Sequence, residues 1–398
     1  MIELSSLVKE ASRVKVLGSG HSFNTSADPE GGLMVCLDAM EGSAPAIDAT
    51  KGLVRVGAGV TYSQLADSLR GGPWALHNMA SLPHISIGGA IATATHGSGV
   101  GLGCLASAVR ALSLVTADGS VREFVGGSAR FASVHLGSLG VVTHVTLALV
   151  PALNFRQDVY ERLAWDLALD DFDLTLSAAT SVSLFTTWAT PLCFDLAWHK
   201  NAETRDTPTA APNEWLGATL ADAQRHPCGV DVDPAPCTEQ LGVYGSWADR
   251  LPHFRSSFTP SIGDELQSEY FVARSDAPAS LRALAPFAEE ISKIIFVTEI
   301  RSILRDDDAP ISMHSGRESV AIHFTWRPLG TQVAAVLPKI EAALMPFDAR
   351  PHWGKLFTMD AEALARVYPR MSEFVALRRE LDPGGKFVNA FVKNAGII

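Results

Sequence analysis

Glu299 and Arg301 place a carboxylate and a guanidinium two residues apart in the strand-like run 294–303. Side chains two residues apart on a strand point to the same face, so the two charges would lie together. An isolated charge in a core is costly, so a buried pair of this kind needs either its own members or a ligand as partner. The pair therefore indicates a structural ion pair or one side of a polar binding site, and the residues alone leave both open.

The run 319–326 alternates with a period of two, as a strand with two different faces does. One face carries large apolar side chains, which are Val320, Ile322, Phe324 and Trp326. The other face carries Ala321, His323 and Thr325. We assign the first face to the core and the second to a pocket wall. A half-buried histidine with a purely structural role is the alternative.

A second kind of chemistry is indicated near the N-terminus, where a strand-like run at 14–17 leads into the loop Gly18-Ser19-Gly20-His21. Glycines let backbone N–H groups approach a pyrophosphate without a Cβ in the way. The Rossmann fingerprint requires a third glycine three residues after the second, and Phe23 stands there. The loop therefore favours a phosphate-bearing ligand and argues against a Rossmann fold.

The stretch 81–99, SLPHISIGGAIATATHGSG, is unusually rich in glycine, alanine and threonine. It offers hydroxyls at Ser86, Thr93, Thr95 and Ser98, and its glycines allow close backbone approach. A large flat cofactor with a diphosphate fits such a surface. A tightly packed core of small residues between two layers is the alternative.

These two motifs, in this order and about sixty residues apart, resemble those of the vanillyl-alcohol-oxidase-type FAD proteins, and within them those of alditol oxidases (xylitol or sorbitol oxidases). The similarity continues in five further motifs: CTEQLGVYGSWADRLPHF (237–254), VTEIRSI (297–303), VAIHFTWRP (320–328), ARPHWGKLF (349–357) and LDPGGKFVNAF (381–391). Together they extend over nearly the whole chain. The segment before the first loop is shorter than is usual in the family.

The resemblance implies FAD as the cofactor, joined covalently to the histidine of the first loop, here His21. It also implies a set of cofactor-binding residues in the two glycine-containing segments and at two later positions. These are Gly18, Ser19, Gly20, His21, Ser22, Phe23, Asn24, Ser81, Ser86, Gly89, Thr93, Ala94, Thr95, His96, Val142 and His352.

The resemblance further implies a polyol site lined by Ser81, Glu299, Arg301, Thr325 and Lys355, with His323 beside it. A polyol needs such a wall because each buried hydroxyl must find a partner. We expect Arg301 and Lys355 to lower the pKa of the alcohol and to stabilise the alkoxide, and Glu299 to hold Arg301 in place. Catalytic roles are thus predicted for Glu299, Arg301, Lys355 and His323, with no single residue assigned as the base.

The predicted reaction is FAD-dependent oxidation of the terminal hydroxyl of an acyclic polyol, such as xylitol or sorbitol, to the aldose, with O2 reduced to H2O2. Two alternatives stay open. One is an aldonolactone oxidase or dehydrogenase of the same superfamily, and the other is a non-catalytic flavin-binding or sugar-binding protein. The histidines lack a metal-ligand spacing, so no metal is expected.

Composition restricts partners and location. The net charge of −11 argues against nucleic acid as a partner. The sequence has no run of 18 apolar residues, so no membrane span is expected. The N-terminus lacks a secretory pattern, and the five cysteines lack CxxC spacing, which is typical of reduced thiols. We therefore expect a cytoplasmic monomer whose partners are a small polyol and O2.

For the fold we expect an α+β, two-domain FAD-binding protein of the PCMH type with a sheet-based substrate domain. The predicted parts are an FAD-binding part at 1–151, a substrate-binding domain at 152–350 and a C-terminal segment, 351–398, that returns to the flavin site. Within them, 200–240 is predicted to be a long surface loop because it is polar and rich in proline and alanine. A helix is predicted from Lys339 to Leu344, with Pro338 in its first turn.

Overall fold

The computed structural model describes residues 2–207, 210–258 and 264–398. Its strands form two large antiparallel sheets and two small pairs, so the α+β class is confirmed. In these ranges the α-helices are Ile2–Glu10, Tyr62–Leu69, Ile87–Ala92, Gly127–Phe131, Trp165–Asp170, Phe172–Ser177, Ala277–Leu284, Ala288–Ser292, Gly330–Leu344, Ala361–Val367, Met371–Leu381 and Ala390–Asn394.

The N-terminal third builds the smaller of the two large sheets. Its five strands lie in the order Ala46–Asp48, Leu53–Gly57, Val141–Ala148, Val109–Val115 and Val121–Val125. The central strand Val141–Ala148 is rich in β-branched residues, which suit a pleated buried surface, and most of it is buried. A separate parallel pair, Val14–Leu17 with Leu33–Cys36, leads directly into the first glycine loop.

Ten strands form the larger sheet. Nine of them follow the order Glu214–Trp215, Ala218–Leu220, Asn154–Ala164, Cys193–Ala202, Ser181–Thr186, Ile295–Ile303, Ser319–Trp326, Leu266–Ala273 and Arg350–Pro351. The tenth, Gly245–Ser246, pairs with Asn154–Ala164. A two-stranded pair, Trp74–Ala75 with Val150–Pro151, stands apart.

Strand Ser319–Trp326 has the two faces that its sequence predicts. The four large apolar side chains of one face are fully buried in the core. His323 and Thr325 on the other face line a cavity, and so do Glu299 and Arg301 on the neighbouring strand. Both assignments of faces are therefore confirmed, and the register sets Glu299 directly opposite His323.

The helix that contains Pro338 is longer than its sequence suggested. It runs from Gly330 to Leu344, so Pro338 lies in its interior and not in its first turn. An interior proline costs a helix one backbone hydrogen bond and a steric clash. The helix nevertheless continues because it buries a stripe at helical spacing, Val333, Val336, Leu337, Ile340 and Leu344.

The prediction of a long surface loop over 200–240 is wrong in two respects. Two short strands within it, Glu214–Trp215 and Ala218–Leu220, extend the edge of the large sheet. Further along, the Gln240 side chain is buried. Its amide accepts from the N–H of Arg225 at 2.8 Å and donates to the carbonyl of Arg225 at 2.7 Å. Polar residues here satisfy local backbone groups, which periodicity does not reveal; residues 208 and 209 lie outside the described part.

The C-terminal segment packs against the start of the chain. The N–H of Val14 donates to the carbonyl of Lys386 at 2.9 Å. The Asn389 amide donates to the carbonyls of Thr25, Ser26 and Asp28. These contacts hold the first glycine loop between segments that are far apart in the sequence. Among the described helices, none combines the length and apolar character needed to cross a bilayer.

Candidate active site

A cavity of about 880 Å³ is lined by both glycine-containing segments and by the large sheet. Nineteen of the 21 predicted site residues line it: Gly18, Ser19, Gly20, His21, Ser22, Asn24, Ser81, Ser86, Gly89, Thr93, Thr95, His96, Val142, Glu299, Arg301, His323, Thr325, His352 and Lys355. Phe23 and Ala94 do not line it. Such a volume lies at the upper end of small-molecule sites, about 300–1,000 Å³.

The C-terminal end of the first loop is held in place by the turn at 353–355. The Asn24 amide donates to the carbonyls of Trp353 and Lys355, at 2.8 and 2.9 Å, and the N–H of Phe23 donates to Gly354 at 2.8 Å. Phe23 thus anchors the loop through its backbone, although its side chain does not line the cavity. Gly20 has a φ of +71°, a conformation that suits glycine.

The backbone donors of this loop are free to bind a ligand. In the described part of the chain, the N–H groups of Ser19, Gly20, His21 and Ser22 have no protein acceptor. Consecutive free N–H groups form a concavity suited to anions such as a diphosphate. A Cβ on Gly18 would collide with the Ser86 hydroxyl, so any larger residue there requires the Ser86 side chain to move. The residues present therefore fit the diphosphate of FAD.

The second segment supplies small side chains around the helix Ile87–Ala92. Its hydroxyls bond within the segment: Thr93 donates to the carbonyl of Gly89 at 3.2 Å and lies 3.2 Å from the Thr95 hydroxyl. Ala94 is fully buried behind this surface with a φ of +53°. We call residues 18–24 and 86–96 together the glycine cradle.

His21, in the cradle, carries an exposed side chain that faces the cavity. Desolvation lowers the pKa of its imidazole, and nearby His84 lowers it further. The ring is therefore neutral at pH 7. A neutral imidazole has the lone pair that a nucleophile needs.

The opposite side of the cavity is a wall of charged side chains on three neighbouring strands. Glu299 stands opposite His323, and His323 stands opposite Glu269 on the third strand. Together with Arg301 and Lys355 they form what we call the charged wall. Its side chains are almost completely buried, which makes every ionic contact within it strong.

Glu269 is the counter-ion at the centre of this wall, and sequence reasoning missed it. Its carboxylate lies 2.7 Å from Lys355 Nζ, 3.2 Å from Arg301 Nη2 and 3.2 Å from His96 Nε2. A signal was available: Gln267, Glu269 and Phe271 alternate along one face of their strand, so a carboxylate faces the same side as an amide.

Glu299 contacts Arg301 less directly than the sequence suggested. Arg301 Nε lies 3.5 Å from Glu299, whereas its terminal nitrogens donate to Glu269 and to the Ser81 hydroxyl, each at 3.2 Å. The closest partner of Glu299 is instead His253 Nε2, at 2.7 Å. Arg301 thus pairs with Glu299 at the longer distance, while Glu269 and Ser81 make its shorter bonds.

The protonation states follow from burial and from these neighbours. Burial alone would raise the pKa of Glu269, but Lys355 and His96 hold it well below its usual range. Arg301 and His253 do the same for Glu299. Burial lowers the pKa of His323 to about 4, and Lys355 adds to this effect. Burial lowers the pKa of Lys355, and the charge of Glu269 opposes this effect. At neutral pH the wall therefore combines two carboxylates and a neutral histidine with Lys355 and the Arg301 guanidinium.

The neutral ring of His323 has a defined orientation. Its Nε2 lies 3.1 Å from the amide oxygen of Gln267, so that nitrogen carries the proton and donates. Its Nδ1 then presents a lone pair, has no hydrogen-bond partner among the described residues, and lies 3.7 Å from Glu299 Oε2. Two acceptors stand side by side, and both face the cavity side of the strand. Such an arrangement calls for donors from a ligand.

His352 and His253 complete the surroundings. His352 Nδ1 accepts from the N–H of Gly354 at 3.0 Å and so shapes the turn that presents Lys355. His253 belongs to one of the motifs that carry the family resemblance, although no role was assigned to it. The described residues contain no group of three or more His, Cys, Asp or Glu placed to hold a metal ion.

Comparison with known proteins agrees with this geometry. The family described as "FAD binding domain" matches residues 2–124, and the family described as "D-arabinono-1,4-lactone oxidase" matches residues 264–395. Their matched segments include the whole glycine cradle and all five residues of the charged wall.

Individual relatives extend over nearly the whole chain. An alditol oxidase of Streptomyces sp. is 46% identical over 383 residues, which cover 94% of this chain and 89% of that protein. An L-gulono-1,4-lactone dehydrogenase of Mycobacterium tuberculosis is 28% identical, over 98% of this chain and 92% of that protein. The crystal structure of cholesterol oxidase from B. sterolicum shares the fold, with a TM-score of 0.74 at 14% identity over 98% of this chain and 92% of that chain. The family resemblance inferred from the motifs is confirmed.

Proposed function

We propose that this chain, which belongs to the vanillyl-alcohol-oxidase-type family of FAD-linked oxidases, oxidises the terminal hydroxyl of acyclic polyols to the aldose with reduction of O2 to H2O2. The chain is an FAD-dependent oxidoreductase. The polyol as substrate, the peroxide as product and a covalent bond from FAD to His21 are the parts that we propose.

One observation carries the choice of a polyol: the charged wall presents donors and acceptors side by side. Glu299 Oε2 and His323 Nδ1 are adjacent acceptors, 3.7 Å apart. One hydroxyl of an open-chain polyol can donate to Glu299 Oε2, while neighbouring hydroxyls accept from Arg301 or Lys355. A simple alcohol would leave several buried polar groups without partners.

The cofactor is supported by the cradle. Its four free N–H groups suit a diphosphate, and the neutral His21 imidazole suits attachment to a flavin. When bound, FAD supplies the acceptor for the hydride of the substrate carbon and the means of passing electrons to O2. Ala80, a small residue in the cavity lining, leaves space for O2.

The residues of the wall have separate tasks in this proposal. Arg301 and Lys355 stabilise negative charge that develops on the substrate oxygen. Glu269 fixes both cations, since it contacts each of them within 3.2 Å. Ser81 and Thr325 orient the remaining hydroxyls. Glu299 Oε2 and His323 Nδ1 are both placed to accept the hydroxyl proton, and we assign the base to neither.

A lactone is the second candidate substrate. It is favoured by the match of residues 264–395 to the family described as "D-arabinono-1,4-lactone oxidase" and by the L-gulono-1,4-lactone dehydrogenase relative. A lactone ring has fewer hydroxyls in a row than an alditol and would satisfy fewer groups of the wall. We therefore rank it second.

Two measurements on the purified protein test the proposal. Acid precipitation followed by digestion should leave flavin on the peptide that contains His21, and flavin found entirely in the supernatant would refute the covalent bond. Anaerobic addition of sorbitol should bleach the yellow colour, and air should restore it with formation of one H2O2 per aldose. A yellow protein that no alcohol or lactone bleaches would be a flavin-binding or sugar-binding protein and not an enzyme.

The remaining expectations are part of the same proposal. The division into 1–151, 152–350 and 351–398 is supported by the two large sheets and by the bonds from Asn389 and Phe23 across the chain. A cytoplasmic monomer is supported by the acidic net charge and by five cysteines that form no disulfide. Size-exclusion chromatography with light scattering tests the monomer.

A further inference from the structure

We propose that Lys200 and His253 are positioning residues that fix the hydrogen-bonding state of Glu299, so that Glu299 Oε2 is held as a charged acceptor for a substrate hydroxyl. The inference rests on the proposed function only in naming that hydroxyl. The three side chains form one chain of contacts from the interior of the large sheet to the cavity.

This series of contacts starts at Lys200, which lies on the strand Cys193–Ala202. The Lys200 residue is 1% exposed. Its ammonium has three acceptors: the carbonyl of Leu251 at 2.6 Å, the carbonyl of Pro252 at 3.0 Å and His253 Nδ1 at 3.1 Å. An ammonium group donates three hydrogen bonds and accepts none. With Lys200 in this charged form, His253 Nδ1 must therefore accept.

This contact determines the tautomer of His253. With Nδ1 as the acceptor, the single proton of the neutral ring lies on Nε2. Nε2 is 2.7 Å from Glu299 Oε1, and it donates to that oxygen. Burial, followed by the charge of Lys200, lowers the pKa of His253 to about 4, so the ring is neutral at working pH.

The ring of His253 has little freedom to move. It packs against Trp198 and Phe185, with ring centroids 5.1 and 5.8 Å away. The backbone N–H of His253 donates to the carbonyl of Ser81 at 3.1 Å, and Arg301 bonds the hydroxyl of the same serine. A substitution at His253 would thus affect both Glu299 and, through Ser81, Arg301.

Lys200 carries a buried charge, and its three hydrogen bonds offset part of the cost of burying it. Burial lowers the pKa of Lys200 to about 7, which means that the folded protein disfavours its charge. The groups that face it are Glu299 and Cys237, which favour the charge, and Arg301, which opposes it, besides His253 and the two carbonyls.

Loss of Lys200 would release the tautomer. If the proton moved to Nδ1, the Nε2 lone pair would face the Glu299 carboxylate across a hydrogen-bond distance. Two acceptors so close repel each other, so Glu299 would turn or take up a proton. In either case Oε2 would no longer be a fixed charged acceptor.

Kinetics of four variants test this, expressed per bound flavin and with the best substrate of the unmodified protein. Lys200→Met and His253→Leu should lower kcat/KM by about 30-fold, the size expected for one hydrogen bond to a charged group. His253→Gln should stay within about fivefold, because its amide oxygen can accept from Lys200 while its NH2 donates to Glu299. Lys386→Met is the matched control, since Lys386 likewise donates three hydrogen bonds, all to backbone carbonyls, but lies away from the cavity.

A substrate-free measurement separates this inference from the proposed function. In long-range 1H–15N spectra of histidine-labelled protein, the ring that disappears in His253→Gln should be the Nε2–H tautomer, and Lys200→Met should convert it to a mixture. An Nδ1–H tautomer in the unmodified protein would overturn the inference. So would Lys200→Met kinetics equal to those of Lys386→Met, or His253→Gln as damaged as His253→Leu. If only lactones are oxidised, the proposed substrate fails while both readouts still decide this inference.

Discussion

The glycine cradle and the charged wall face each other across one cavity but bind ligands with different groups. The cradle offers backbone N–H groups and small side chains, and its shape depends on glycine at positions such as Gly18 and Gly20. The wall offers buried charges whose partners are one another. Substitutions in the cradle should therefore lower flavin content, whereas substitutions in the wall should lower kcat.

The largest effect that separates the two regions is expected from the cations. Arg301→Ala and Lys355→Met should each lower kcat by about a hundredfold, or about 3 kcal/mol, because a charge that stabilises the reacting oxygen is removed. Flavin content should stay unchanged. Gly20→Val should do the reverse, since a φ of +71° strains a β-branched residue: less flavin is bound, while kcat per flavin is kept. Loss of flavin in Lys355→Met with normal turnover of the remainder would refute the division.

The next effect is on stability and concerns Glu269. Glu269→Gln removes the counter-ion of two buried cations, and breaking a buried ion pair from one side costs about 3 kcal/mol. Chemical denaturation of the flavin-loaded protein measures it. Glu289→Gln is the control, because that exposed carboxylate pairs only with Lys293 on a helix surface and should change little. Equal stabilities of the two variants would show that the wall is not held by Glu269.

The pH dependence of stability should reveal buried neutral histidines in both regions. Burial lowers the pKa of His135, in the cavity lining beside the cradle, and of His323, in the wall, to about 4. An unfolded histidine has a pKa of about 6.5, so the unfolded chain binds more protons below that pH. The stabilisation is complete above pH 6.5 and is lost as the pH falls towards 4.

Thermal unfolding between pH 7.5 and 4 measures this loss. His135→Gln should flatten the decline by up to about 1.4 kcal/mol per pH unit, which is the value of one pKa unit. The carboxylates Glu269 and Glu299 contribute only at lower pH, because their pKa values lie well below the usual range. A melting temperature independent of pH between 6.5 and 4.5 would contradict the assignment of neutral rings.

The smallest effect is expected from Thr325, at the edge of the wall. Thr325→Val keeps the shape and removes one neutral hydrogen bond, so KM should rise about fivefold, or about 1 kcal/mol, while kcat is nearly unchanged. A hydroxyl far from the reacting carbon is bound equally in the ground and transition states. A loss of kcat as large as that of Arg301→Ala would place Thr325 at the reacting centre.

The two regions also differ in how far the sequence reveals them. The cradle is local: its donors and its glycines lie in two short segments, and spacing alone excluded a Rossmann loop at Phe23. The faces of the strands Ile295–Ile303 and Ser319–Trp326 were likewise predictable, because a period of two is a property of neighbouring residues.

The partners within the wall were not predictable in the same way. Glu269 and His253 reach their places through pairing of distant strands and through a loop that bonds Ser81, and no local pattern encodes such contacts. For the same reason the sequence indicated Glu299 as a partner of Arg301 but not the nearer carboxylate of Glu269. The start of the helix Gly330–Leu344 was also not predicted, because proline usually marks a first turn. The apolar stripe that stabilises this helix extends on both sides of Pro338.

The central claim is that the wall selects open-chain polyols, and a single set of kcat/KM values tests it most directly. Xylitol, sorbitol, glycerol, 1-butanol and L-gulono-1,4-lactone are compared under one set of conditions by peroxide release. A buried polar wall should favour xylitol or sorbitol over 1-butanol by about 10⁴, with glycerol between them and the lactone below the best alditol. If kcat/KM for the lactone exceeds that for every alditol, the wall favours a cyclic substrate and the claim is wrong.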